Sequence, residues 1–106
     1  MKLLNIDYIP GKDIEVLDMV KGTVVHSKNI GKDFMASMKT LVGGELTGYT
    51  EMLNEARQIA VKRMVNEAEA LGADAVINVR YGTSSVMSGA AEVIAYGTAV
   101  KILEKR

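Results

Sequence analysis

The last apolar segment of the chain, residues 92–103, most constrains what this sequence can fold into. It reads EVIAYGTAVKIL, and as an extended strand it places apolar side chains on both of its faces. One face carries Ile94, Tyr96, Val100 and Ile102, and the other carries Val93, Ala95, Ala99 and Leu103. A strand of this kind is typical of a sheet that is covered on both faces. We therefore expect cover on both sides of the sheet.

Two helices are predicted to supply part of that cover. Residues 31–42 place Phe34, Met35, Met38, Leu41 and Val42 on one helical stripe. A longer helix is predicted over residues 48–71, with Thr47 as its N-cap and Gly72 as its terminating residue. Because the two helices are adjacent in sequence, one sheet face still lacks a cover. A neighbouring copy is the simplest source, so the sequence predicts a homo-oligomer.

The remaining segments predict a small sheet. Residues 12–29 form either one long strand with a bend or bulge at Gly22 or two short strands joined there. Residues 75–81, AVINVRY, alternate as a strand with one apolar face, and residues 82–91 read as a flexible loop. We expect one α+β domain over residues 1–106, in the order β-(β)-α-α-β-β.

Composition excludes several classes of protein. The 106 residues are 48% hydrophobic with one Pro and no Cys, which argues against a disordered or disulfide-dependent chain. Thirteen basic and thirteen acidic residues give no net charge, so we expect neither nucleic acid nor an anionic membrane as a partner. Without a signal-peptide pattern or a long apolar run, the sequence predicts a cytoplasmic protein.

Three stretches resemble a known family. They are DFMASMKTLVGGELTGYTEMLNEARQIAVKRM, then LGADAVINVRY, then GTAVKI, and they are similar to the YbjQ-like family over about residues 11–102. The resemblance implies a dodecin-like small sheet packed by two helices. It also implies a ring, with a pentamer as the expected form. Its heavy-metal-binding label implies a metal cofactor but defines no biochemical activity.

The residues themselves do not support a metal site. Soft metals favour thiolate and imidazole ligands, and this chain has no Cys and a single His, His26. Ring symmetry could still bring several copies of His26 together. The seven Met residues are interpreted mainly as core packing, with a thioether copper site at Met35 and Met38 as the alternative.

Gly43 and Gly44 begin the segment GGELTG. Its glycines raise the possibility of an anion site. Free backbone N–H groups at the start of a helix attract anions. However, Glu45 would repel an anion there, and the family pattern usually has Arg at that position. We interpret this segment as a turn between two helices.

Enzyme chemistry finds little support in the sequence. Ser84, Ser85 and Ser88 have no His nearby in sequence to activate them. Arg57 and Arg80 either receive a carboxylate or phosphate, or form ion pairs with acidic neighbours.

Three functions follow from these residues. The leading prediction is a non-enzymatic homo-oligomer that binds a small ligand or metal at subunit interfaces, with His26, Arg57 and Arg80 as candidate ligand-binding residues. One alternative is an enzyme acting on a small anionic substrate at an interface, with His26 and Arg57 or Arg80 carrying the chemistry. The other is a purely structural ring.

Overall fold

The computed structural model describes residues 1–26, 47–87 and 90–103. The described elements are β1 (Lys2–Leu3), β2 (Asp13–His26), α1 (Thr47–Ala70), β3 (Ala75–Met87) and β4 (Ala90–Leu103). The predicted helix over residues 31–42 and the turn at Gly43, Gly44 and Glu45 lie outside the described residues.

The four strands form one mixed sheet in the order β1-β3-β4-β2. β4 lies in the interior of the sheet and pairs antiparallel with β2 on one side and β3 on the other. β1 pairs parallel with the start of β3, with Lys2 opposite Ala75. The segment that is apolar on both faces is thus an interior strand of the sheet.

The prediction of a loop over residues 82–91 is wrong for residues 82–87, 90 and 91. Residues 82–87 continue β3, and residues 90 and 91 begin β4, with Gly82 opposite Ile94 and Ser84 opposite Glu92. A strand is held by backbone hydrogen bonds to its neighbour, which do not require apolar side chains. Gly82, Ser84 and Ser85, which resemble a turn signal, therefore lie in a paired ladder.

β2 is one continuous strand, which was one of the two predicted forms. Its irregularity lies between Val16 and Asp18, however, and not at Gly22. Gly22 instead allows α1 to approach the sheet closely. A Cβ atom at this position would collide with the carbonyl oxygen of Ala60 and the backbone nitrogen of Met64.

The main core lies between α1 and the sheet. The small residues Ala56, Ala60 and Ala68 on α1 are fully buried, and they let the helix pack close to β2 and β4. The helix ends at Ala70, and Gly72 follows with φ of 78°, the left-handed conformation that terminates helices. The predicted terminating glycine is confirmed. The core cluster comprises Val20, Val24, Ala56, Ala60, Met64, Ala68, Val76, Val93, Ala95 and Ala99.

A second, smaller cluster covers part of the opposite face of the sheet. Ile9 is 3% exposed and packs with Ala75, Ile77 and Val100, and Leu4 packs against the same cluster. Val100 and Ala99 belong to different clusters because successive side chains of a strand point to opposite faces. The N-terminal segment of the chain therefore covers one end of the second face, which we had expected a neighbouring copy to cover.

Within the described residues, no helix is long and apolar enough to cross a membrane.

Candidate functional site

The rest of the second face carries exposed apolar side chains. Val16, Met19 and Val25 on β2 are 63%, 69% and 57% exposed, and Tyr96 on β4 is 39% exposed. We call the surface formed by Val16, Met19, Lys21, Val25, Arg80 and Tyr96 the open face. Apolar side chains grouped in this way are typical of a surface that contacts something else.

Two cationic residues flank Tyr96 on the open face. Lys21 of β2 and Arg80 of β3 are each directly opposite Tyr96 in their strand pairs. Neighbouring strands lie about 4.8 Å apart, so the three residues lie in one row across the sheet. A row of two positive charges around an aromatic ring suits an anion, and the ring adds a flat apolar contact.

A bulge in β3 places Arg80 on this face. The register shifts between Ile77 and Arg80, and Asn78 has φ of 53°. Ile77 and Arg80 are three positions apart, so regular alternation would place them on opposite faces. The N-terminal segment holds the bulge, because Asn78 donates its N–H to Ile6 O at 2.9 Å and Val79 donates to Leu4 O at 3.0 Å.

The guanidinium of Arg80 also contacts the N-terminal segment. Its Nη1 donates to the carbonyl oxygen of Asn5 at 2.8 Å and to that of Val79 at 3.1 Å. Both of these partners are neutral carbonyl oxygens. A solvent-open groove of about 520 Å³ lies beside this contact, lined by Leu3, Leu4, Asn5, Val79, Arg80 and Tyr81.

Arg57 lies on the other side of the sheet from Arg80. It belongs to α1, which packs on the face that carries the main core. Its Nη2 donates to Asn54 Oδ1, three residues earlier on the same helix. Within one chain, the two candidate arginines therefore do not belong to one site.

His26 is the last residue of β2 and pairs with Ala91 of β4. Arg80 pairs with Tyr96, five residues further along β4. Five residues of a strand span about 17 Å, which is too far for His26 and Arg80 to act on one small substrate within a chain. Across residues 1–26, 47–87 and 90–103, no group of three or more His, Asp or Glu side chains is arranged to hold a metal ion.

Lys21 and Tyr96 were not among the residues predicted from the sequence to bind the ligand. Tyr96 lies on an apolar stripe and Lys21 lies 75 residues before it, so only the strand register brings them together. The signal in the sequence is the alternation of β4, which places Tyr96 on the face opposite the main core.

Comparison with known proteins decides the family. The sequence model of the YbjQ family, described as "Putative heavy-metal-binding", matches residues 1–103. This chain belongs to the YbjQ family. It is 66% identical over 103 residues to a UPF0145 protein of Clostridium novyi, covering 97% of this chain and 100% of that protein. It is 57% identical to a UPF0145 protein of Thermotoga maritima, covering 96% and 97% of the two chains.

A solved structure supports the same fold for this YbjQ-family chain. It is the crystal structure of a protein of unknown function of the DUF74 family from Pediococcus pentosaceus. The TM-score is 0.68 at 18% identity, over 97% of this chain and 98% of that one. At this identity the likeness concerns the fold alone, an α+β arrangement with α1 packed on a four-stranded mixed sheet.

Proposed function

We propose that this protein is a non-enzymatic subunit of a cytoplasmic homo-oligomeric ring, with five copies as the expected number, that binds a small anionic ligand where copies meet. The main support for this proposal is the open face, where exposed apolar side chains lie beside the cationic residues Lys21 and Arg80 in one row. The dodecin-like arrangement with a second helix is part of the same proposal.

An anion fits the row of Lys21, Tyr96 and Arg80 better than a cation does. Arg80 uses Nη1 for its hydrogen bonds to described residues, and its planar guanidinium has further donors that can bind a carboxylate or phosphate. Lys21 adds a second positive charge across the ring. Cover by a neighbouring copy would exclude water and strengthen both interactions.

A metal has less support. The family description mentions heavy metals, but within the described ranges no carboxylate or imidazole cluster is arranged for one. A metal site could still form if several copies each contributed His26 around the axis of a ring. The enzyme alternative likewise requires two chains, because His26 and Arg80 are separated by more than about 17 Å in one.

Native mass spectrometry of the untagged protein as purified tests the proposal, because it counts copies and weighs any retained ligand together. We expect an oligomer that carries the extra mass of a small anion. Lys21→Ala should reduce the occupied fraction about tenfold, whereas Lys62→Ala on the exposed surface of α1 should leave it unchanged. Equal retention by both variants would rule out the row as the site, and a ligand-free ring would support a purely structural role.

A further inference from the structure

The groove beside Arg80 lies between the N-terminal segment and β3. Its volume of about 520 Å³ is within the range of about 300–1,000 Å³ that small-molecule sites occupy. Arg80 and Tyr81 are neighbours in β3, and successive side chains of a strand point to opposite faces of the sheet. A groove lined by both residues therefore lies at the outer edge of β3.

The lining of the groove is mostly apolar. Leu3, Leu4 and Val79 supply aliphatic side chains, and Tyr81, which is 54% exposed, supplies an aromatic ring. Among the six described residues that line the groove, Arg80 alone carries a charge. A ligand that complements this lining has a negative charge at one end and an apolar body along the rest.

The guanidinium of Arg80 is oriented by the groove itself. Its hydrogen bonds at 2.8 Å and 3.1 Å go to the carbonyl oxygens of Asn5 and Val79, which are both lining residues. These bonds restrict the side chain before a ligand binds, which lowers the entropic cost of binding. Because the two oxygens are neutral, they do not cancel the positive charge, and the remaining donors of the planar group match the two oxygens of a carboxylate.

We infer that the ligand of this protein is a small carboxylic acid with an apolar body, with its carboxylate on Arg80 and its body in the groove. This inference rests on the proposed function, because it names the chemical class of the anion that Arg80 binds. A carboxylate fits better than a phosphate, since a second negative charge would have no cation in the lining to pair with.

Four probes separate the contribution of the charge from that of the apolar body. They are phenylacetate, its neutral counterpart phenylacetamide, acetate and inorganic phosphate. Titration of the wild-type protein followed by amide NMR spectra gives a dissociation constant for each probe. We expect phenylacetate to bind at least about tenfold more tightly than the other three, because it alone combines a carboxylate with an apolar body. It should also shift the amide signals of Asn5 and Tyr81.

Two tyrosine variants form a matched pair that tests the groove. Tyr81 and Tyr8 are 54% and 57% exposed, and Tyr8 is not a lining residue. Tyr81→Ser should raise the dissociation constant of phenylacetate about tenfold, because it removes the aromatic contact with the apolar body. Tyr8→Ser should leave that constant unchanged.

The inference and the proposed function fail in different ways. Phenylacetate that binds no more tightly than acetate, or that is weakened equally by the two tyrosine variants, would overturn the inference. If phosphate still bound in that case, with an affinity lowered by Lys21→Ala, the proposed function would stand with a different anion. If none of the four probes bound, both the inference and the proposed anion binding would be wrong.

Discussion

Arg80 donates a hydrogen bond from its side chain to the backbone carbonyl of Asn5, which lies 75 residues earlier in the sequence. This contact joins the N-terminal segment to the bulged part of β3, and the same side chain stands in the row beside Tyr96. Arg80 therefore has a structural role and a proposed ligand-binding role, and experiments can separate the two.

Arg80→Met should lower the free energy of unfolding by about 1 kcal/mol, because two hydrogen bonds to carbonyl oxygens are lost at an exposed position. The N-terminal segment should also become more accessible to protease. Arg57→Met is the matched control, since its hydrogen bond stays within one turn of α1, and it should cost about 0.5 kcal/mol or less. Urea unfolding of both variants measures the difference in their free energies of unfolding. Equal losses of stability in the two variants would contradict the structural role assigned to Arg80.

Gly22→Ala should be strongly destabilising, by about 3 kcal/mol or more. Its new Cβ would meet the backbone of Ala60 and Met64, which cannot move without displacing α1 from the sheet. Gly82→Ala is the control. The nearest atom to its new Cβ is the side-chain Cγ2 of Ile94 at 3.1 Å, and that side chain can shift. We expect a cost of about 1 kcal/mol there, and similar thermal midpoints for the two variants would argue against the close helix contact at Gly22.

Asn78→Val should destabilise the protein by about 1–2 kcal/mol, because a β-branched residue does not tolerate the left-handed conformation at φ of 53°. Asn78→Gly should be close to neutral, since glycine adopts this conformation without a steric cost. Chemical denaturation of the two variants measures their free energies of unfolding and so tests whether the bulge is required. A valine variant as stable as the glycine variant would mean that the bulge is not required.

Met19→Lys tests whether the open face is covered by a neighbouring copy. The side chain is 69% exposed in one chain, so the substitution should leave the stability of a single chain within about 0.5 kcal/mol. In the assembled protein it would bury a charge, so the dissociation constant between copies should rise at least about tenfold. Ile59→Lys, at a position 37% exposed on α1, is the control on the other side of the sheet. Equal effects of the two substitutions on assembly would argue against the open face as the interface.

Much of the fold could be predicted from local pattern. The apolar character of residues 92–103 predicted a strand there, and the pattern of residues 48–71 predicted the helix that the structure has as α1. Gly72 was predicted as the helix terminus because its role depends only on the residues beside it. These features are determined by periodicity and by local backbone conformation.

The features that were missed depend on strand register and on contacts between distant segments. The bulge at Asn78 is stabilised by the carbonyls of Leu4 and Ile6, some seventy residues away, and nothing in the sequence around Asn78 indicates it. The row of Lys21, Tyr96 and Arg80 likewise exists only once three strands are aligned. The strand at residues 82–87 was interpreted as a loop because its polar residues resemble a turn signal, whereas its pairing with β4 determines its structure.

The mass of the assembly in solution tests the central proposal most directly. Sedimentation equilibrium of the untagged protein, without added metal, should give about five times the chain mass of 11.5 kDa. That mass should persist on dilution to low micromolar concentration, as expected for an interface that buries the open face. A single species of 11.5 kDa at every concentration would contradict the account, because the open face would then be a free surface of a monomer.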